Sequence, residues 1–129
     1  MQLIFRSAGK RQSGSLQRLN GRIHTDTMSD LLMFLVEQTE SFAAWLSSLK
    51  DLRAQLAIGR RLERAAMGNF GDFKWLGGGI GELRVDVAAG YRVYFTQKGH
   101  RLVLLLVGGD KSTQPADILK ARKLLKEMT

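Results

Sequence analysis

The chain has 129 residues, which is enough for one hydrophobic core but too few for a second independent core. Twenty Lys and Arg residues against twelve Asp and Glu residues give a net charge of +8, which favours an anionic partner such as nucleic acid or an acidic protein segment. With no cysteine and only two histidines, the composition excludes a disulfide scaffold and a thiol nucleophile and disfavours the common zinc sites.

Residues 1–32 are rich in Ser, Gly and Gln and have no apolar segment followed by a small-residue cleavage site, so a secretory signal is not expected. The apolar run at 31–36 is far shorter than the roughly 20 residues that a membrane span needs. We therefore expect a cytoplasmic protein without a membrane segment. Residues 1–32 are predicted to be a disordered tail, or an extension from a start codon assigned too far upstream, and residues 33–129 to form the folded domain.

Two helices are predicted after a short strand at 34–36. The first follows Thr39 and Ser41, and the second begins at Asp51, which can cap it, and ends at Gly68-Asn69. The apolar residues of the first recur at helical spacing: Phe42, Trp45, Leu46 and Leu49. The short connection predicts a helical hairpin, which needs a sheet to cover its apolar side.

Three strands and a helix are predicted in the second half of the chain. Residues 82–87 alternate polar and apolar, residues 91–96 form the next strand, and the wholly apolar run 102–107 predicts a central strand covered on both faces. Ser112 or Thr113 can cap the last helix, which has Pro115 in its first turn. The order predicts an α+β fold in which a small, mainly antiparallel sheet packs against an N-terminal helical hairpin, with a C-terminal helix.

Charged residues are expected to share the face of the sheet opposite the core. Alternation places Glu82, Arg84 and Asp86 on this face of one strand, and Arg92 and Tyr94 on the same face of its neighbour. Such a face is commonly a solvated surface with cross-strand ion pairs, and this interpretation stays open.

The same face can also hold a phosphate. Lys111, after the central strand, and Lys74, in the loop that enters the sheet, are placed to close its two ends. Arginine binds phosphate through two parallel hydrogen bonds, and lysine adds a point charge. Trp75, beside Lys74 in the predicted loop, is a candidate for stacking on a nucleic-acid base.

Several short motifs between residues 33 and 129 occur together, in an order and at spacings that resemble a known family. They are Gly68-Asn69-Phe70-Gly71-Asp72-Phe73-Lys74, Glu82-Leu83-Arg84, Gly90-Tyr91-Arg92-Val93-Tyr94 and Gly108-Gly109-Asp110-Lys111-Ser112-Thr113-Gln114. In these motifs the chain resembles the RelE/ParE toxin superfamily, specifically its HigB-like branch of addiction-module killer proteins.

This resemblance implies a RelE-like fold and the toxin of a type II toxin-antitoxin module. Such a toxin is held inactive by a cognate antitoxin, here expected to be a HigA-like helix-turn-helix regulator. When released, it acts on the ribosome as an mRNA endonuclease (mRNA interferase) and inhibits translation. The resemblance also implies that no metal and no other cofactor is used, and that the 2′-hydroxyl of the RNA attacks its own adjacent phosphate.

The resemblance also assigns residues. Arg92 matches the strand arginine that contacts the scissile phosphate, Arg84 and Lys74 match basic positions before it, and Lys111 matches a cation that stabilises charge or donates a proton. Relatives place a histidine or tyrosine near the C-terminus, but residues 112–129 contain neither. The general base therefore stays open between Glu82, which can also orient Arg84, and a lysine. Lys74, Trp75 and Tyr94 are expected to contact RNA.

Two other functions fit the same sequence. A ParE-like gyrase poison would act by binding protein rather than by cleaving RNA. A non-enzymatic module would only bind nucleic acid or an antitoxin-like regulator.

Overall fold

A computed structural model describes residues 6–7, 33–100 and 102–129. Apart from Arg6–Ser7, the predicted tail or extension 1–32 lies outside the described residues. Among the described residues, no helix is long and apolar enough to cross a bilayer.

In this part of the chain, one mixed sheet of six strands is combined with three α-helices, so the predicted α+β class is confirmed. The elements are β1 (Arg6–Ser7), β2 (Leu35–Gln38), α1 (Glu40–Ser48), α2 (Leu52–Ala66), β3 (Phe73–Gly77), β4 (Ile80–Val85), β5 (Tyr91–Lys98), β6 (Leu102–Asp110), a 3-10 turn (Lys111–Thr113) and α3 (Gln114–Met128). The strand order is β1-β2-β6-β5-β4-β3. β1, β2 and β6 are parallel, and β3 to β6 are antiparallel.

Side-chain caps begin both helices of the predicted hairpin. The Thr39 hydroxyl accepts from Phe42 N at 3.0 Å and donates to Leu106 O at 2.8 Å, which joins the start of α1 to the central strand. The Asp51 carboxylate accepts from Arg53 N at 2.9 Å and from Ala54 N at 3.3 Å, as predicted. After α2, Gly68 has a φ of +97°, a conformation that glycine adopts without strain.

The hairpin covers one face of the sheet and forms the larger core. Its buried members come from the hairpin and from alternate positions of four strands, among them Phe42, Ile58, Leu62, Leu83, Val93, Phe95 and Leu105. The indole of Trp45 lies directly over Gly108 of β6, where an added Cβ would be 2.1 Å from the ring. These contacts fix which side chains of β4 and β5 point to the opposite face.

The C-terminal helix covers part of that opposite face. A second cluster joins Ala121 of α3 to strand residues that include Ile80, Tyr94, Leu104 and Leu106. The middle of β6 is buried throughout, which confirms the predicted central strand. A β-bulge interrupts its pairing with β5: Tyr94 pairs with Val107 and Phe95 pairs with Leu105, so Leu106 is the extra residue.

The prediction of a loop around Lys74 and Trp75 was wrong, and this applies to all of residues 73–77. These residues form the edge strand β3, in which Phe73 pairs with Leu83 and Lys74 with Glu82. Gly77, Gly78 and Gly79, which all have positive φ, form the turn into β4. Because a run of glycines is typical of a loop, the alternation of β3 was not recognised in the sequence. β4 ends at Val85, so Asp86 lies just beyond the strand predicted to contain it.

Candidate functional site

An open pocket of about 420 Å³ lies on the face of the sheet opposite the helical hairpin. It is lined by Asp72, Lys74, Leu76, Glu82, Arg84, Asp86, Arg92, Lys111 and Gln114. The four cations proposed from the sequence therefore come together around one space. They arrive from β3, β4, β5 and the turn after β6, which are adjacent in the sheet or follow it directly.

Strand register determines how these charges meet. Arg84 of β4 lies directly opposite Arg92 of β5, and Glu82 lies between Lys74 and Tyr94. Two arginines in opposite positions repel each other unless anions separate them. The neighbouring carboxylate of Glu82 supplies that negative charge, so the two guanidinium groups can remain side by side.

Glu82 is the buried centre of the pocket wall, with 1% of its surface exposed. Its Oε2 accepts from the Tyr94 hydroxyl at 3.0 Å and from Gln114 Nε2 at 2.6 Å, and its Oε1 accepts from Arg84 Nε at 3.3 Å. Arg92 Nε is 4.0 Å from Oε2. A buried carboxylate needs this many partners to offset its lost hydration. Its arrangement fits the orienting role considered for Glu82 better than proton transfer with a substrate.

Arg92 is held with an unsatisfied donor at the pocket. Its side chain is 12% exposed, and its Nη1 donates to Tyr91 O at 3.2 Å. The buried Nε has no hydrogen-bond partner among the described residues. Buried polar atoms are normally hydrogen-bonded, and the closest anion to this donor is the Glu82 carboxylate, which holds Arg92 by an ionic contact.

Arg84 is held between two carboxylates, Glu82 and Asp72, with its Nη1 3.4 Å from Asp72 Oδ1. Its backbone is fixed by Arg61 of α2, whose guanidinium donates to Arg84 O, to Phe70 O at 3.0 Å and to Asp72 O at 3.2 Å. Burial and the nearby Arg64 lower the pKa of Arg61. No local pattern in the sequence signals this bracing role of Arg61, because its three acceptors lie in other elements of the fold.

Lys111 reaches the pocket across a glycine. A Cβ on Gly90 would lie 3.0 Å from Lys111 Cε, and Lys111 N donates to Gly90 O at 3.0 Å. The preceding Asp110 caps the turn by accepting from Ser112 N at 2.8 Å and from its hydroxyl at 2.5 Å, and these hydrogen bonds lower the pKa of Asp110. The motif around Lys111 thus shapes the turn that presents it.

Two residues expected to contact RNA are not placed to do so at this pocket. Tyr94 is fully buried beneath it, and burial together with Glu82 raises the pKa of its hydroxyl well above the ordinary value. Trp75 belongs to β3 rather than to a loop, and its half-exposed ring contacts Phe73 and Phe95 on the hairpin side of the sheet. Strand alternation sends Trp75 and Lys74 to opposite faces.

Two residues that organise the pocket were not predicted as site residues, although both lie in motifs quoted from the sequence. Gln114, at the first turn of α3, binds Glu82 from 32 positions away, and Asp72 binds Arg84. Both contacts depend on how separate elements meet, and no local spacing signals them. Alternation did place Asp86 near the cations, and it lines the pocket.

The charge balance indicates what the pocket can bind. Lys74, Arg84, Arg92 and Lys111 are offset by Asp72, Glu82 and Asp86, which leaves four minus three, or a formal charge of +1. The Glu82 carboxylate is buried and already accepts hydrogen bonds from side chains of the protein. The N–H groups of the arginines and lysines that it does not bind therefore line the pocket and can donate to a ligand. An anion with several oxygens, such as a phosphodiester, suits this set of donors.

Comparison with known proteins finds a relative in Haemophilus influenzae. A Haemophilus influenzae (strain Rd) protein, described only as uncharacterized, is 50% identical over 93 residues, which are 72% of this chain and 94% of the relative. No family model and no solved structure matches the chain.

Proposed function

This chain belongs to the protein family of the uncharacterized Haemophilus influenzae protein, and we propose that it is the toxin of a type II toxin-antitoxin module. In this proposal it is a HigB-like member of the RelE/ParE superfamily with a RelE-like fold. It cleaves mRNA on the ribosome without a metal ion, and a HigA-like helix-turn-helix antitoxin holds it inactive in the cytoplasm.

The observation that carries the proposal is the convergence of Arg84, Arg92 and Lys111 on one open pocket. Three cations from separate elements, two of them oriented by a buried carboxylate, form a preorganised site for one phosphate group. A solvated face with incidental ion pairs would not require Glu82 to be buried beneath the arginines. The open shape leaves room for a polymer to enter and leave.

The reaction we propose is attack by an RNA 2′-hydroxyl oxygen on the adjacent phosphorus. The O2′–P bond forms, the P–O5′ bond breaks, and the products are a 2′,3′-cyclic phosphate and a 5′-hydroxyl. Arg84 and Arg92 hold the non-bridging oxygens and stabilise the negative charge of the phosphorane. Glu82 acts as a positioning residue for both guanidinium groups.

Two protons must move during this reaction. The 2′-hydroxyl proton goes to the carboxylate of Asp86, which is exposed at the pocket and, as an anion, can accept a proton directly. The leaving 5′-oxygen takes a proton from the ammonium group of Lys111, and Lys74 binds a neighbouring phosphate. This assignment replaces Glu82 as general base, because its oxygens are already occupied.

The test is brief induction of the wild-type chain and of an Arg92→Ala, Lys111→Ala double variant, with growth measured and transcript 5′ ends mapped. We expect the wild type to arrest growth with new 5′ ends within coding regions, and the double variant to be tolerated. The matched control is Lys120→Ala together with Lys123→Ala, two exposed lysines of α3 outside the pocket, which should remain as toxic as the wild type.

Equal toxicity of the wild type and the double variant contradicts the proposal. Growth arrest with a DNA-damage response, altered supercoiling and intact transcripts would instead identify a gyrase poison. Purified Asp86→Asn should bind ribosomal complexes like the wild type but cleave mRNA about 100-fold more slowly, in line with the loss of a general base. Unchanged cleavage by Asp86→Asn would remove that residue from the mechanism.

A further inference from the structure

The outer face of α2 exposes apolar side chains that the fold leaves uncovered. Leu52 and Leu56 are 68% and 60% exposed, and Met67, at the end of the helix, is on the same side. Their spacing of four and eleven residues keeps them in one row, which we call the α2 ridge. The buried residues of the helix, such as Ile58 and Leu62, lie on the opposite side. A row of exposed large apolar residues is typical of an interaction surface.

Arginines flank the α2 ridge on one side. Arg53, Arg60 and Arg64 are exposed, and helical spacing places all three along the same edge of the ridge. Among the described residues, none of these arginines forms an ion pair. Glu63, within the ridge, is the one acidic residue of α2. The flank is therefore complementary to a surface that carries several carboxylates.

A glycine lies on the other flank. Gly59 is in the middle of α2, and a Cβ added there would have no atom within 4 Å. Glycine destabilises a helix interior relative to alanine, and the packing of this chain does not require it here. A glycine on an exposed helix face does permit another backbone to approach closely.

We propose that the α2 ridge binds an acidic amphipathic helix from a second protein. The apolar side of that helix packs on Leu52 and Leu56, its backbone lies close to Gly59, and its carboxylates pair with the flanking arginines. A second copy of this chain fits poorly, because two α2 ridges would bring arginines together on chains that each carry +8. The ridge lies on the hairpin side of the sheet, away from the pocket, so this proposal does not depend on the proposed nuclease activity.

The test uses a panel of fluorescent helical peptides of the same length as α2. Each has Leu and Ala on one side, in different registers, and Glu on the other, and a matched panel has Lys in place of Glu. We expect anisotropy to show binding of acidic peptides at low salt, weaker binding as salt is added, and no binding of the lysine peptides. Leu56→Ser and Gly59→Gln should each weaken binding by about 10-fold, as expected for central interface positions.

Gly59→Gln separates binding from folding. Because the new side chain meets open space and removes a helical glycine, the variant should have an unchanged or higher Tm while it binds the peptide less well. Leu119→Ser is the matched control, since Leu119 is an exposed leucine of α3 and should not affect binding. Arg92→Ala should also bind normally, which keeps this test distinct from the nuclease test.

Four results of the peptide assay would overturn the proposal. They are failure of every acidic peptide to bind at low salt, equal binding of the lysine panel, wild-type affinity in both Leu56→Ser and Gly59→Gln, and an equal loss in Leu119→Ser. Sedimentation that shows a dimer of the wild type, dissociated by Leu56→Ser, would assign the ridge to a second copy of the chain and also overturn it.

Discussion

At β4 and β5, the two faces of the sheet are buried by different chemistry, although α3 also packs an apolar cluster on the second face. Against the helical hairpin, β4 and β5 present Leu83, Val93 and Phe95 to a wholly apolar core. On the other face, the same strands present Glu82 and Tyr94 to a network completed by Gln114 of α3. The apolar face is stabilised by removing surface from water, whereas the polar face depends on giving each buried group a partner.

This difference predicts how each face tolerates change. An apolar core loses stability roughly in proportion to the volume removed, and its parts can shift to fill space. A buried polar network fails when one member leaves, because the remaining groups keep the cost of burial without their partners. Substitutions on the two faces can therefore test the comparison directly.

The largest effects should come from removing one central residue on either face. Phe42→Ala should lower the free energy of unfolding by about 3–5 kcal/mol, because it empties a fully buried site. Glu82→Ala should cost about 3 kcal/mol although it removes a smaller side chain, since it leaves Tyr94, Gln114 and Arg84 without their shared acceptor and Arg92 without its ionic partner. Urea denaturation measures both. A cost below about 1 kcal/mol for Glu82→Ala would contradict the view of Glu82 as the centre of the network.

Adjacent glycines of β6 offer a matched comparison of intermediate size. A Cβ at Gly108 would meet the packed ring of Trp45, and one at Gly109 would meet the carboxylate of Asp117 at 1.8 Å. The partly buried indole packs against the core and lies beside the rings of Phe42 and Tyr91, whereas Asp117 is a half-buried helix side chain that can rotate away by giving up its hydrogen bond from Thr113. Gly108→Ala should therefore cost about 1–3 kcal/mol and Gly109→Ala less. Thermal unfolding shows which of the two variants loses more stability. A larger loss in Gly109→Ala than in Gly108→Ala would contradict the view that Trp45 is held more rigidly than Asp117.

The smallest expected effect is a dependence of stability on alkaline pH. The pKa of Tyr94 is raised in the folded chain, mainly by burial and then by Glu82. The raised pKa of Tyr94 adds to the free energy of unfolding. This stabilisation is fully present below the unfolded pKa of 10.0 and is lost as pH rises above it, because the tyrosine of the unfolded chain releases its proton first. Tyr94→Phe should lose about 1 kcal/mol at neutral pH, and its stability should fall less steeply above pH 10. Urea denaturation at several pH values measures this. If the free energy of unfolding fell equally steeply above pH 10 in the wild type and in Tyr94→Phe, Tyr94 would not be the source of the pH dependence.

Much of the fold was predictable because its signals are local. Alternation in β4 and β5, the apolar run of β6 and the Asp51 cap each involve neighbouring residues. The predictions for β5, β6 and the cap were confirmed, and the alternation of β4 was confirmed as far as Val85. Alternation also placed Arg84 and Arg92 on one face, and the structure brings them together with Lys111 at the pocket. The edge strand β3 escaped prediction because it is short and has glycines on both sides.

The internal order of the pocket was not predictable in the same way. That Glu82 is buried, that Gln114 binds it and that Arg61 braces the loop before β3 all depend on how α2 and α3 pack on the sheet. The same alternation that placed the cations suggested an exposed Tyr94, but α3 and the bulge of β6 cover that ring. Tertiary packing decides which residues of a charged face touch solvent and which support it.

The bulge at Leu106 has a consequence for changes in chain length. Leu106 is an extra residue opposite β5, so its deletion would turn the bulged pairing of β5 and β6 into a regular ladder. The residues after the bulge would keep their contacts, with Gly108 facing Trp45 and Lys111 beside Gly90. A deletion elsewhere in β6 would exchange inward and outward side chains from that point onward. Homologous sequences that are one residue shorter here should be aligned with the gap at Leu106, and they should keep the pocket while losing apolar contact beneath α3.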